Sequence, residues 1–253
     1  MDVFRDHINF IYGIRAVVEA IKAGQEVEVV YIQQDTRGPL MTELRRELKQ
    51  NAVPAKQLPK QAFGKFKDKN HQGVVAALSS IQYIKLDWLL PTLFEKGKSP
   101  FFLILDKITD VRNFGAICRS ASCFGVDAVI IPAKGSAMVN EFAIKTSAGA
   151  LHHLAVCRVK SLVNTVEFLK DSGIKIISCT EKGGEDNEEI AYHEPIALIL
   201  GAEDLGISKK ILDLSDSLVK IPMQGPIESL NVSVAAGIIL STAFNKRRNA
   251  EVG

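Results

Sequence analysis

Three short segments in the C-terminal half of this chain carry side chains able to bind or activate a ligand, each beside a strongly apolar run. The first is Asp110-Val111-Arg112-Asn113-Phe114-Gly115, leading on to Arg119. The second is Leu200-Gly201-Ala202-Glu203-Asp204-Leu205-Gly206, and the third runs from Ile221-Pro222-Met223 to Ser229-Leu230-Asn231. Each sets amide, guanidinium, carboxylate or hydroxyl groups next to glycine or proline at the end of an expected strand. In α/β sheets ligands sit at that position, outside the carboxyl ends of the strands.

Taken singly, the segments leave alternatives open. Gly201 follows the apolar run Ile196–Leu200, and a glycine there lets a ligand approach the backbone without meeting a Cβ. No Gly-Lys-Ser/Thr follows, and G-x-G-x-x-G is absent, which argues against a P-loop or a nicotinamide-dependent oxidoreductase. A plain strand-to-helix turn with Glu203 and Asp204 at a helix start also accounts for this segment. Pro222, Gly225 and Pro226 fix an irregular loop. Ser229 or Asn231 then caps the helix that follows, whose first amides suit a carboxylate or phosphate. Arg119 falls in a helix otherwise built of Ala, Ile, Cys and Phe; if buried it needs a partner, for which Glu203 and Asp110 are candidates.

The elements that must position these groups follow from hydrophobic periodicity. From Phe101 onward, apolar strands at 101–105, 128–131, 175–179, 197–200 and 217–221 alternate with helices at 114–124, 141–148, 162–170 and 232–245, which predicts an α/β domain with a mostly parallel sheet. The first 80 residues read as a smaller α/β unit. It has a helix over 13–23, a strand over 27–32, a helix over 40–49, a segment ending in Pro54 and Pro59, and a buried strand over 73–78. Leu86–Glu95 reads as an amphipathic helix carrying Trp88, Leu89, Leu90 and Phe94 and interrupted by Pro91. The expected division is therefore a domain over 1–79, a linker over 80–99 and a domain over 100–253.

Net charge is only +2, but it is unevenly spread. Residues 45–69 carry 8 basic and 2 acidic side chains, so Arg45, Arg46, Lys65, Lys67 and Lys69 are candidate RNA-binding residues. A merely solvated lysine-rich surface is the alternative. Cys118, Cys123, Cys157 and Cys179 show no C-x-x-C spacing, and His152-His153 lacks helical metal-site spacing, so no metal is expected. The chain shows neither a signal-peptide pattern nor an apolar run long enough to span a membrane, and a cytoplasmic, reduced protein is expected.

The ordered trio resembles the SpoU (TrmH-type) 2′-O-ribose methyltransferases of the SPOUT superfamily. Their N-x-G-x-x-x-R-x-A motif matches Asn113, Gly115, Arg119 and Ala121; their G-x-E-x-x-G matches Gly201, Glu203 and Gly206; and I-P-M-x-G-x-x-x-S-L-N-V-S-x-A matches Ile221 to Ala235. Ile11-Tyr12-Gly13, Gly24 and His71-Gln72-Gly73-Val74-Val75-Ala76 also resemble the N-terminal extension of the 23S rRNA guanosine methyltransferases, itself similar to a small RNA-binding ribosomal-protein fold. Asp204, Arg112 and Ile227-Glu228 depart from common versions of the motifs.

The resemblance implies a trefoil knot in the C-terminal sheet, S-adenosylmethionine bound in a bent pose within it, and a homodimer whose active site forms where the subunits meet. It implies that Gly201, Ile221, Leu230, Thr180, Met223 and Val232 line the cofactor site. A ribose 2′-hydroxyl is a poor nucleophile until its proton leaves, and the segments contain no histidine, leaving Arg119, Glu203, Ser229 and Asn231. An arginine pKa above about 12 makes it a demanding base. Arg119 is therefore expected to bind the 2′-oxygen and an adjacent phosphate, with Glu203 orienting it and Asn113, Ser229 and Asn231 holding the loops and the ribose. The expected substrate is a guanosine in 23S rRNA, free or in a ribosomal particle; tRNA, or a non-catalytic role in RNA binding or ribosome assembly, are the alternatives.

Overall fold

The computed structural model describes residue 4 and residues 9–181, 184–226 and 229–252; Ile227 and Glu228 of the third segment lie outside the described residues. Two compact units divide the chain, Met1–Gln82 with Met138–Phe142 and Tyr83–Ala137 with Ala143–Gly253.

The first unit contains β1 (Phe10–Tyr12), α1 (Ile14–Lys22), β2 (Val27–Gln33), α2 (Pro39–Gln50), β3 (Ala55–Leu58), a 3-10 segment (Lys60–Phe66) and β4 (Val74–Leu78). Its sheet has the order β1-β4-β2-β3, with β3 parallel to β2 and the other pairs antiparallel. Side chains alternate across a strand, so β2 and β4 feed two cores. Val30, Ile32, Val74 and Ala76 meet Val17, Ile21 and Leu44 of the two helices. Val29, Tyr31, Val75 and Ala77 meet Phe4, Phe63 and Phe66 on the opposite face. The short strands β1 and β3 were not expected; β3 is the exposed run Ala-Lys-Gln-Leu, which offers no apolar alternation to read.

The second unit begins with α3 (Leu86–Glu95), in the stretch expected to be a linker. Leu86, Leu90 and Leu93 pack with Phe102, Ile104 and Ile130, while Trp88 and Phe94 point outward. Pro91 does not end the helix: it removes one N–H, and the ring is accommodated within the turn. The chain continues through β5 (Phe101–Asp106), α4 (Val111–Cys123), β6 (Ala128–Pro132), α5 (Glu141–Thr146), β7 (Ala155–Val159), α6 (Leu162–Asp171), β8 (Lys175–Cys179), β9 (Glu185–Asp186), β10 (Ile196–Gly201), α7 (Lys209–Leu212), β11 (Ser217–Lys220) and α8 (Val232–Val252). The sheet order is β7-β6-β5-β10-β8-β11-β9, and every pairing is parallel. The edge strand β7 escaped the sequence reading because Arg158 breaks its apolar run.

Register places the strand ends together: Gly201 pairs with Asp106 and Leu200 with Cys179. From β5 the sheet builds outward through β6 and β7 on one side, while β10 and β8 lie on the other. This reversal beside β5 is a topological switch point, where open α/β sheets leave a crevice. The trefoil knot implied by the family resemblance is consistent with this strand order. Near its end α8 holds the far side of the unit: the Arg247 guanidinium donates to the Tyr192 and Glu194 carbonyls at 2.7 and 2.9 Å and also to the Ser99 carbonyl. No described helix is long and apolar enough to cross a membrane.

Candidate functional site

The site lies at the carboxyl ends of β5, β8, β10 and β11. Gly201 ends β10 with no room for a side chain: a Cβ there would stand 2.3 Å from both the Gly206 carbonyl carbon and the Ile207 nitrogen. The chain folds straight back on itself, with the Gly206 N–H donating to the Ala202 carbonyl at 2.8 Å and Gly206 at φ +62. Asp106, almost fully buried, accepts from the Ser208 N–H at 2.7 Å and from its hydroxyl, fixing the exit of this loop. Asp106 was not among the residues singled out from sequence; its signal was an acid closing the apolar run Phe101–Leu105.

The loop projects Glu203 toward the start of α8. There its Oε1 accepts from Asn231 Nδ2 at 2.6 Å and from the Val232 N–H at 3.0 Å. Asn231 Nδ2 also donates to Asn113 Oδ1 at 3.1 Å, so all three motif segments meet at one amide. Asn231 Oδ1 in turn accepts from the Ser233 N–H at 3.0 Å and from its hydroxyl at 2.6 Å. Asn231, not Ser229, therefore stands in the capping position of α8. At the start of α4, Asp110 Oδ1 accepts from the Arg112 and Asn113 N–H groups at 2.9 and 2.8 Å. A buried stripe of Phe114, Ile117, Cys118 and Ala121 holds that helix against the core, and α4 packs on α8.

Arg119 differs from the sequence expectation. It is exposed on α4 and has no ion pair or hydrogen bond among the described residues, with neither Glu203 nor Asp110 as partner. The carboxylate of Glu203 is drawn instead to the first amide of α8, where helix N–H groups lack internal partners and the helix dipole favours an anion. Glu203 therefore orients Asn231 and not Arg119.

Beside this network is a cavity of about 390 Å³, whose walls include Thr180, Gly201, Ile221, Met223, Leu230 and Val232, within the size range of small-molecule sites. Ser229 also lines it. Apolar Leu200, Leu205, Val219 and Ile239 face it together with Glu181 and Lys220, a mixture suited to a ligand with both apolar and charged parts. Cys179 is a further wall residue that sequence reasoning missed. Burial pushes its thiol up to about 12, so it remains protonated and unreactive at neutral pH. No group of three or more His, Cys, Asp or Glu among the described residues is arranged to hold a metal ion.

The candidate RNA-binding residues do not form one patch. Arg45 and Arg46 lie on α2, on the face of the first sheet covered by α1 and α2, and Arg46 pairs with Glu47 at 3.1 Å. Lys65 lies in the 3-10 segment and Lys67 and Lys69 just after it, on the opposite face.

Residues 100–241 match the SpoU rRNA methylase family, and residues 10–84 match the substrate-binding domain of RNA 2′-O ribose methyltransferases. The chain belongs to the SpoU rRNA methylase family. It is similar to YacO of Bacillus subtilis, a protein assigned to the TrmH family of tRNA/rRNA methyltransferases, with 31% identity over 94% of this chain and 96% of that one. A Staphylococcus saprophyticus protein assigned to the same family is 34% identical over 94% of this chain and 95% of its own length. Among solved structures, the SpoU methyltransferase AviRb of Streptomyces viridochromogenes in complex with AdoMet is similar at a TM-score of 0.59 and 25% identity, covering 95% of this chain and 90% of that one. The A. aeolicus TrmH/SpoU tRNA modifying enzyme covers 60% of this chain and 77% of its own, at a TM-score of 0.55 and 29% identity. As a SpoU family member with both matched regions, the protein is an RNA methyltransferase.

Proposed function

We propose that this SpoU methylase transfers a methyl group from S-adenosylmethionine to the ribose 2′-hydroxyl of a guanosine in 23S rRNA. The observation that carries the reading is the meeting of Asn113, Glu203 and Asn231 through Asn231 Nδ2, beside a cavity walled by Gly201, Ile221 and Leu230. The cavity fits the cofactor: bare backbone at Gly201 admits close approach, apolar walls suit an adenine, and Glu181 and Lys220 suit the charged amino-acid end. When bound, S-adenosylmethionine supplies an electrophilic methyl group on a sulfonium sulfur.

The protein's part is mainly positioning. The Glu203–Asn231–Asn113 network locks the start of α8 and of α4 in one geometry. Arg119, without a hydrogen-bond or ion-pair partner among the described residues, holds the 2′-oxygen and the neighbouring phosphate. It stabilises the negative charge that develops on that oxygen as the hydroxyl proton passes to solvent water. Ser229 and Asn113 help to hold the ribose. The active form is a homodimer, supported by Val234 and Ile238, one turn apart on α8 and 51% and 38% exposed. A cytoplasmic location, where bacteria such as those of its relatives make ribosomal RNA, goes with this function.

The test is to incubate the protein with labelled S-adenosylmethionine and separate pools of unmodified 23S rRNA, 16S rRNA and tRNA. Alkali-resistant dinucleotides then identify ribose methylation and its base. Label as 2′-O-methylguanosine in 23S rRNA is the expected result. Label only in tRNA keeps the chemistry and overturns the substrate; cofactor binding without label in any RNA or ribosomal particle overturns the activity.

A further inference from the structure

Two lysines of the first unit are held in place by aromatic rings of one strand. Lys65 Nζ lies 5.4 Å from the centroid of Phe10, and Lys69 Nζ lies 5.7 Å from that of Tyr12. Phe10 and Tyr12 are two residues apart on β1, so their side chains leave the same face of the strand roughly 6.6 Å apart. The lysines are four residues apart, one in the 3-10 segment and one just beyond it. Phe66 braces the arrangement from between, 5.1 Å from Phe10 and 6.0 Å from Tyr12 by ring centroids. Among the described residues β1 is an edge strand, paired with β4, so this row of cations lies along the edge of the sheet.

A free lysine loses much rotamer freedom when it grips an anion. A lysine already resting on a ring has lost part of that freedom beforehand, so the cost of binding falls. Cation–π contact leaves ammonium donors facing away from the ring. Among the described residues the Lys69 ammonium meets only the Tyr12 ring, whereas Lys65 also donates to the Phe4 carbonyl at 3.5 Å. Arg46, by contrast, is paired with Glu47 and lies across the sheet.

We propose that Lys65 on Phe10 and Lys69 on Tyr12 form a preorganised rail for two neighbouring phosphates of one RNA strand. The spacing set by β1 is close to that between successive phosphates of a nucleic-acid backbone. The proposal rests on the RNA-methylating reading and locates RNA contact along the β1 edge, away from α2. Tyr12 is a positioning residue, acting through Lys69.

The experiment measures anisotropy of a labelled single-stranded oligouridine bound to the full chain across a potassium chloride series. Circular dichroism and thermal melting of each variant serve as the check on folding. Lys65→Ala and Lys69→Ala are each expected to lower the slope of log affinity against log salt by about 0.7, one phosphate contact on a single strand. Tyr12→Leu keeps the lysine charge, so affinity should fall several-fold with the slope nearly kept. Arg45→Ala with Arg46→Ala should leave the slope unaltered. An unchanged slope in both lysine variants, or an equal loss in the α2 variant, overturns the rail. Methyl transfer to RNA that survives alongside such a result keeps the enzymatic reading, whereas rail-dependent RNA binding by a protein that methylates no RNA overturns only that reading.

Discussion

Glu203 and Asn231 lie 28 residues apart in the chain, yet the Glu203 carboxylate takes a 2.6 Å hydrogen bond from the Asn231 side-chain amide. This contact joins the turn after β10 to the first residue before α8. Replacing Asn231 by Ala removes the cap of α8 and the amide shared by Glu203 and Asn113. The cap alone is worth about 1 kcal/mol, which corresponds to a loss of roughly 2–4 °C in Tm for a chain of this size. Differential scanning calorimetry checks this, and affinity for S-adenosylmethionine should fall in the same variant because the cavity wall at Val232 is no longer anchored.

Among the described residues Arg119 has no hydrogen-bond or ion-pair partner to lose. Arg119→Ala should therefore leave Tm and cofactor affinity close to those of the parent while kcat drops about 100-fold or more. Near-normal single-turnover methylation of RNA by this variant would remove Arg119 from the chemistry.

Gly201→Ala tests the close approach at the end of β10. The added methyl would stand 2.3 Å from the backbone at Gly206 and Ile207, so the loop that carries Glu203 must move. The expected outcome is a loss of cofactor affinity of about 10-fold or more, of the size of a 1.4 kcal/mol perturbation, with the far-ultraviolet circular dichroism preserved. Unchanged cofactor affinity would show that the loop adapts without cost.

Alkaline pH should weaken the fold through its buried thiols. Burial raises Cys157 and Cys179 from 9.0 to about 12. A group whose folded pKa lies above its unfolded value contributes stability that is fully present below the unfolded value and is lost as pH rises toward the folded one. Urea midpoints should therefore decline between about pH 9 and pH 12, less steeply in Cys157→Ala and Cys179→Ala, relative to each variant's own neutral value. At neutral pH, Ellman's reagent should react readily with exposed Cys123 alone among the four cysteines until the protein unfolds.

Much of the second unit was legible because its strands are long, apolar and buried on both faces: Phe101–Asp106 and Ile196–Gly201 leave little else for those residues to do. The strands that escaped, Phe10–Tyr12, Ala55–Leu58, Ala155–Val159 and Glu185–Asp186, are short or lie at sheet edges, where partners supply the structure and composition does not announce it. The cavity walls were legible because glycine, proline and small polar residues cluster at strand ends. The isolation of Arg119 was not, since it depends on Glu203 finding a stronger partner in the α8 amide. Nor was the separation of Arg45 and Arg46 from the lysines, which arises from helix and 3-10 segment covering opposite faces of one sheet.

The position of Trp88 has a practical consequence. It is the single tryptophan of the chain and is 63% exposed on α3. An indole already in contact with water changes its emission little when the chain unfolds, or when a strand-end cavity that it does not line fills. Intrinsic fluorescence is therefore a poor optical reporter for this molecule. A tryptophan introduced as Leu205→Trp, in a Trp88→Phe background, would put the reporter on the cavity wall.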